Sequence, residues 1–233
     1  MRDIKRKYEG FSFVEMLLTI LLLGIIMLIV ATTMNTVIKV SNTSNSKNLA
    51  RNDMNYIMDI VNRTITNADL GNILLFKSDT VRTLGVDNYG QLRIVQGDTN
   101  AIDTAYANGT PSTVLEGNEI QVKLYGYSYW TCIGYFRDNT NPSYGYIVKT
   151  TSSNLVNHKE CFSATAVVTL LHSFMVDASN FSVKYVEVGD GTNSMFIVDS
   201  TLRPLYWPVS DTFPVKRDVV RQIVISTQAL TWY

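Results

Sequence analysis

Few residues in this chain have types and spacings that suggest chemistry. The chain has two cysteines, Cys132 and Cys161, and two histidines, His158 and His172. Two cysteines beyond an export segment favour a disulfide, which would close a loop of about 30 residues and stabilise by ~3.5 kcal/mol. The alternatives are reduced thiols or a zinc site built from Cys132, His158 and Cys161; the latter shows three ligands and no CxxC pair. Asp98, Asn100 and Asp103 form a small oxygen-rich cluster without the spacing of a calcium loop, so a solvated loop is expected there. No serine sits in a Gly-x-Ser-x-Gly element and no phosphate-binding loop occurs. The expectation is a protein that is not an enzyme, with no cofactor and no metal. Asn-x-Ser/Thr triplets at Asn42, Asn62, Asn108 and Asn180 are what chance supplies in a chain this rich in Asn and Thr.

The remaining chemically unusual residue is Glu15. It is the only charged side chain between Phe11 and Ile38, and Met16 to Ala31 reads MLLTILLLGIIMLIVA. A span needs ~20 mainly apolar residues, and a carboxylate at its centre costs roughly 2.5–3.5 kcal/mol. With no partner apparent in its own segment, Glu15 asks for one on another chain. Arg2, Lys5, Arg6 and Lys7 outnumber Asp3 and Glu9 by two, which places the N-terminus on the cytoplasmic side and all that follows about Ile38 outside. The apolar run is too long for a cleaved secretory signal, and Val30-Ala31-Thr32 is a poor cleavage site.

The stretch Gly10-Phe11-Ser12-Phe13-Val14-Glu15-Met16-Leu17-Leu18 resembles the processing site of type IV prepilins and pseudopilins. The resemblance implies removal of residues 1–10 as a basic leader by a prepilin peptidase, methylation of the new N-terminal Phe11, and an assembly role for Glu15, the fifth mature residue. Phe11 and Glu15 are four apart, on one helix face. In a staggered stack of such helices the carboxylate of one subunit would meet the Phe11 ammonium of its neighbour. Losing one partner of such a pair would leave a buried charge at ~3–5 kcal/mol. The implied partners are other pilins or pseudopilins through the N-terminal helix, the prepilin peptidase and an inner-membrane assembly platform. The implied location is the cell membrane, single-pass with a cytoplasmic N-terminus and an extracellular or periplasmic head, then a pilus or pseudopilus.

These residues need elements to position them. Met54, Ile57, Met58, Val61 and Ile65 recur at spacings of three and four, an apolar stripe on a second helical stretch. Helical throughout, Phe11 to Ala68 would run roughly 87 Å, with Gly71 as its stop. Ser41 to Lys47 is a weak helix stretch in which Asn42 and Asn45 mark a local melt or kink. Gly24 reads either as the helix-weakening glycine of many pilins or as a close-packing glycine, and Thr32 and Thr33 occupy the neighbourhood where the family commonly has proline. Strands are expected at 73–76, 80–84, 91–95, 119–127, 133–137, 145–150, 181–188, 194–199 and 219–227. Asp87 to Gly90, Asn108-Gly109 and Asp190-Gly191 are the turns, the last the best hairpin signal. Residues 165–176 read as a short helix or a strand pair, and Gly97 to Ser112, polar and without a period, as an exposed loop.

The expected fold is α+β: one long N-terminal helix packed on a mainly antiparallel β-sheet head. The expected divisions are 1–10 (leader), 11–70 (helix, with 11–38 in the membrane and 39–70 amphipathic) and 71–233 (head). Tyr125, Tyr127 and Tyr129 would project from one strand face and, with Trp130, Tyr135, Phe136, Tyr144 and Tyr146, form either a sheet core or an exposed contact patch. Only Lys123, Arg137 and Lys149 lie nearby, and 20 basic against 20 acidic residues give no net charge, so no nucleic acid is expected as a direct partner. The 46% hydrophobic share excludes a disordered chain, and 19 Asn with 24 Thr outnumber the 40 charged residues, a surface suited to the cell exterior. His172, Asp190-Gly191, a late proline and Val219 to Ile225 are similar to the larger minor pilins and J-type pseudopilins. The chain less its leader also exceeds a typical major pilin. Such a subunit would serve adhesion, motility, secretion or DNA uptake. The competing reading is an uncleaved, membrane-tethered binding or sensing domain.

Overall fold

A computed structural model of the chain describes residues 10, 12–78, 83–96, 102–107, 110–111, 116–152, 161–162, 166–188, 193–208 and 216–228. Among the described residues one helix, α1 (Phe13–Thr66), precedes all the strands. Its 54 residues span about 81 Å at 1.5 Å per residue. The helix shows no interruption at Ser41 to Lys47, contrary to the expected melt. There Thr43 is buried with its hydroxyl on the Lys39 carbonyl, and Lys47 Nζ donates to the Lys216 carbonyl, so contacts with the head override weak propensity. The stop also differs. Asn67 caps the helix, its N–H directed at Arg63 and Ile65 carbonyls, and Gly71 falls inside the first strand.

The strands are β1 (Ala68–Ser78), β2 (Thr83–Val86), β3 (Leu92–Gln96), β4 (Ile102–Ala107), β5 (Thr110–Pro111), β6 (Glu116–Gly117), β7 (Glu119–Leu124), β8 (Trp130–Asp138), β9 (Gly145–Ser152), β10 (Thr169–Leu170), β11 (Val176–Val188), β12 (Asn193–Pro204) and β13 (Val219–Gln228). The first sheet runs β10-β9-β8-β7-β1-β4-β5, with β2 paired to β3 and, in parallel, to β8; the second runs β13-β12-β11-β6. All other pairings among the described residues are antiparallel, giving the α+β class. β4 and β5 occupy the stretch read as a loop; β4 pairs with β1 through backbone bonds, which a polar, aperiodic sequence can make. Of the stretch 165–176, the described residues 166–176 resolve toward strand, through β10 and a bridge from Val167 to Arg93. β11 and β12 pair from Val176↔Pro204 to Val188↔Asn193, while the turn at Asp190-Gly191, like Asn108-Gly109, lies outside the described residues.

The main core lies between α1 and both sheets. Ala50, Met54, Ile57, Met58, Val61 and Ile65 face Ile73, Leu75, Ile120, Val122, Ile133, Ile147, Val183, Phe196 and Val198. Period two divides each strand: Ile133 and Ile147 enter this core, while Cys132, Phe136 and Val148 enter a smaller one with Leu84, Ile94, Cys161, Phe162 and Val168. Gly145 begins β9 where it approaches β11. A Cβ there would strike the Ala178 carbonyl and the Tyr135 hydroxyl, and its N–H donates to Asp177 Oδ1 at 2.8 Å.

Candidate processing and assembly segment

Ser12 is the N-cap of α1. Its Oγ accepts the Glu15 N–H at 3.3 Å, and its own N–H donates to Glu15 Oε2 at 2.9 Å. This is a capping box: two orphan donors of the first turn are satisfied reciprocally, and the carboxylate sits at the positive end of the helix dipole. The expectation that Glu15 lacks a partner in its own segment is therefore corrected. The signal was present as Ser-x-x-Glu ahead of an apolar run, and sequence reasoning missed it. Gly10 is exposed, with open space where a side chain would be. Phe11 and residues 1–9 lie outside the described residues.

From Phe13 to Val40 every residue of α1 is exposed, and the first buried side chain is Thr43. The threonine hydroxyls of this stretch bond back to the helix. Thr19 donates to the Glu15 carbonyl, Thr32 and Thr33 to that of Ile29, and Thr36 to that of Thr32, at 2.6–3.0 Å. Such back-bonding makes threonine acceptable in hydrocarbon, where an unsatisfied hydroxyl is costly. The helix is long and apolar enough to cross a membrane. Gly24 faces open space within the single chain and leaves the helix unbroken.

The other candidate residues are dispersed. Cys132 and Cys161 are bonded as a disulfide, with Cα atoms 6.2 Å apart and both residues buried in the smaller core. His158, Asp98 and Asn100 lie outside the described residues; for Asp103 the structure gives only a backbone place in β4. His172 is buried at the turn before β11. Nε2 accepts the Ile147 N–H at 3.2 Å and Nδ1 lies 3.0 Å from the Ser173 carbonyl, so one proton on Nδ1 satisfies both. Burial holds its pKa below the ordinary value, outweighing the Ser173 carbonyl and the Asp53 and Asp177 carboxylates. The arrangement orients a turn and leaves neither ring nitrogen for a substrate.

The tyrosines do not share a strand face, since β7 ends at Leu124 and Gly126, at φ +79°, turns the chain. Tyr125 and Tyr127 are exposed on that turn, and Tyr127 meets Tyr129 edge-on at 5.1 Å. Phe136 is buried, Tyr144 is exposed, and Trp130, Tyr135 and Tyr146 are half-buried. The aromatic group thus divides between core and surface. Burial pushes the Tyr135 phenol up to about 12. Burial also raises that of Tyr146, which donates to Asp138 Oδ2 at 2.8 Å.

Neither curated proteins nor solved structures yield a match to this chain. A family model does. Residues 5–31 match the prokaryotic N-terminal methylation motif, and they cover Lys5, Arg6 and Lys7, the capping box and most of the exposed apolar half of α1. Through that match this N-terminal segment is a type IV prepilin-type signature.

Proposed function

We propose that this protein is a structural subunit of a type IV pilus or pseudopilus, of the minor, low-copy kind, that primes, caps or tunes the fibre. Prepilin peptidase cuts after Gly10, Phe11 becomes the methylated N-terminus, and the exposed half of α1 first anchors the subunit in the membrane and then packs among other pilins. The observation that carries this reading is the motif match at residues 5–31 on a helix whose first half, Phe13 to Val40, is exposed at every residue. During assembly Glu15 would exchange the Ser12 N–H for the ammonium of a neighbouring Phe11, or bind both. The disulfide supports a head built for an oxidising exterior. No catalytic role is proposed for any residue.

The capping box also favours a second reading, since a carboxylate satisfied within its own first turn needs no neighbour and suits a plain tether. Mass spectrometry of the purified membrane protein separates the two. A chain starting at a methylated Phe11 is expected; a chain retaining residues 1–10 overturns the pilin reading in favour of the tether.

A further inference from the structure

The end of the head from which α1 emerges carries exposed side chains that the assembly segment does not use. Two contacts fix its level along the helix, and three more hydrogen bonds tie its segments together. The Ser173 N–H donates to Asp53 Oδ2 at 2.9 Å, and Lys47 Nζ to the Lys216 carbonyl at 2.7 Å. The Leu205 N–H donates to the Met175 carbonyl at 2.9 Å, and the Arg217 guanidinium to the Pro204 and Leu205 carbonyls at 2.9 and 3.2 Å. The turn before β11, the segment after β12 and the approach to β13 are thereby gathered beside the Lys47–Asp53 stretch of α1. On this base Phe174, Met175 and Tyr206 are 59%, 61% and 54% exposed. The opposite end of the head is marked by Tyr125, whose N–H donates to the carbonyl of the helix cap Asn67 at 3.3 Å.

Among the described residues the charge of the base is positive. Arg203, Lys216, Arg217 and Asp218 line an open cavity of about 350 Å³, three cations against one carboxylate. Asp218 is held by Arg203 through two bonds at 2.8 and 3.2 Å, and Asp53 is occupied by Ser173. Aromatic and thioether side chains beside lysines are the composition of a membrane interface. The apolar half of α1 is continuous with this surface. Lys47 lies nine residues past Ile38, about 14 Å along the helix. The headgroup zone occupies about 5–8 Å on each side of the hydrocarbon. A lysine side chain closes the remaining gap at Lys47. The turn before Phe174 is held at Asp53, about 22 Å past Ile38. A tilt toward Phe174 and Tyr206 in the upper part of the range of up to about 40° brings it to the interface.

We propose that this base rests on an anionic bilayer surface, with Phe174, Met175 and Tyr206 entering the interface and Lys47 and Lys216 facing lipid phosphates. The contact holds the unassembled subunit tilted against its membrane. It rests on the reading that α1 spans that membrane. The test uses the full chain, disulfide intact, in nanodiscs of phosphatidylcholine alone or mixed with phosphatidylglycerol. Nitroxide labels are placed singly through Phe174→Cys, Tyr206→Cys, Tyr125→Cys and Leu22→Cys, and their access to oxygen and to a water-soluble nickel complex is measured. The labels at 174 and 206 are expected to turn lipid-like when phosphatidylglycerol is present, while 125 stays aqueous. Lys216→Glu is expected to lower the docked-to-undocked ratio roughly thirtyfold in the anionic disc. If positions 174 and 206 stay as aqueous as 125 in both discs, or are shielded equally in both, the proposal fails. Position 22 reports separately on the anchor: an aqueous label there overturns the spanning reading itself.

Discussion

Glu15 has two roles that substitution can separate. As the N3 member of the capping box it needs only an acceptor that reaches the Ser12 N–H, which glutamine also supplies. As the charge that meets a neighbour's ammonium it must be ionised, and its loss leaves that ammonium unpaired at ~3–5 kcal/mol. Glu15→Gln and Glu15→Val are therefore both expected to be processed normally and both to be depleted from sheared fibres. Incorporation of Glu15→Gln at the normal level would show that capping alone is the requirement. His172 provides a second residue-level prediction. Its pKa is depressed by burial, so the unfolded chain takes up the proton first as pH falls. The stability it contributes is complete above the ordinary value of 6.5 and is lost as pH falls from there toward the lower folded value. The carboxylates of Asp87, held low by Arg93, and Asp218, held low by Arg203, add their losses only below the ordinary 3.8. Thermal melting between pH 7.5 and pH 5.5 (roughly one unit either side of the ordinary histidine value) is expected to show a fall in Tm that His172→Gln abolishes.

At the scale of elements, the smaller core depends on a covalent link that the main core lacks. Cys132 on β8 reaches Cys161 across a separation of 29 positions, beside Phe136, Val148 and Phe162. Replacing both cysteines by serine is expected to cost about 2–5 kcal/mol in urea unfolding, and the same loss should follow from reductant alone. Gly145→Ala is expected to destabilise by about 1–3 kcal/mol, because the added methyl meets the Ala178 carbonyl and the Tyr135 ring where β9 enters the sheet. How much of these elements was legible in the sequence follows from what their residues must bury. Ile73, Ile120, Val122, Ile133, Ile147, Val183, Phe196 and Val198 each fall in an expected strand, since strands that bury one face on a helix must alternate or run apolar. The stripe from Met54 to Ile65 was readable for the same reason. β4 was not, since it is held by bonds between backbones, which the side-chain pattern does not encode. The continuity of α1 through Asn42 and Asn45 was hidden because it depends on docking at Thr43 and Lys47. The tyrosine alternation misled because period two continues past Leu124 although Gly126 turns the chain.

The whole molecule is divided along α1 by what touches it. The main core begins with Ala50, and every residue from Phe13 to Val40 is exposed, so the apolar half contributes no burial to the head. Its stability as a helix must come from lipid or from other helices, since an isolated helix gains little from propensity in water. The rear half is the reverse case. Met54, Ile57, Met58, Val61 and Ile65 are fully or almost fully buried, and each large apolar side chain contributes roughly 1.5–3 kcal/mol on burial. A chain truncated to residues 39–233 keeps that stripe, both sheets and the disulfide. It is expected to unfold in urea within about 1 kcal/mol of the full protein in detergent, while losing all partition into vesicles of phosphatidylcholine alone. Ile57→Ala, by contrast, is expected to cost about 2–5 kcal/mol in both forms. A truncated head several kcal/mol less stable, or one on which Ile57→Ala had no effect, would mean that the membrane half of α1 helps hold the head together. The division between an anchor that only assembles and a head that only folds would then have to be abandoned.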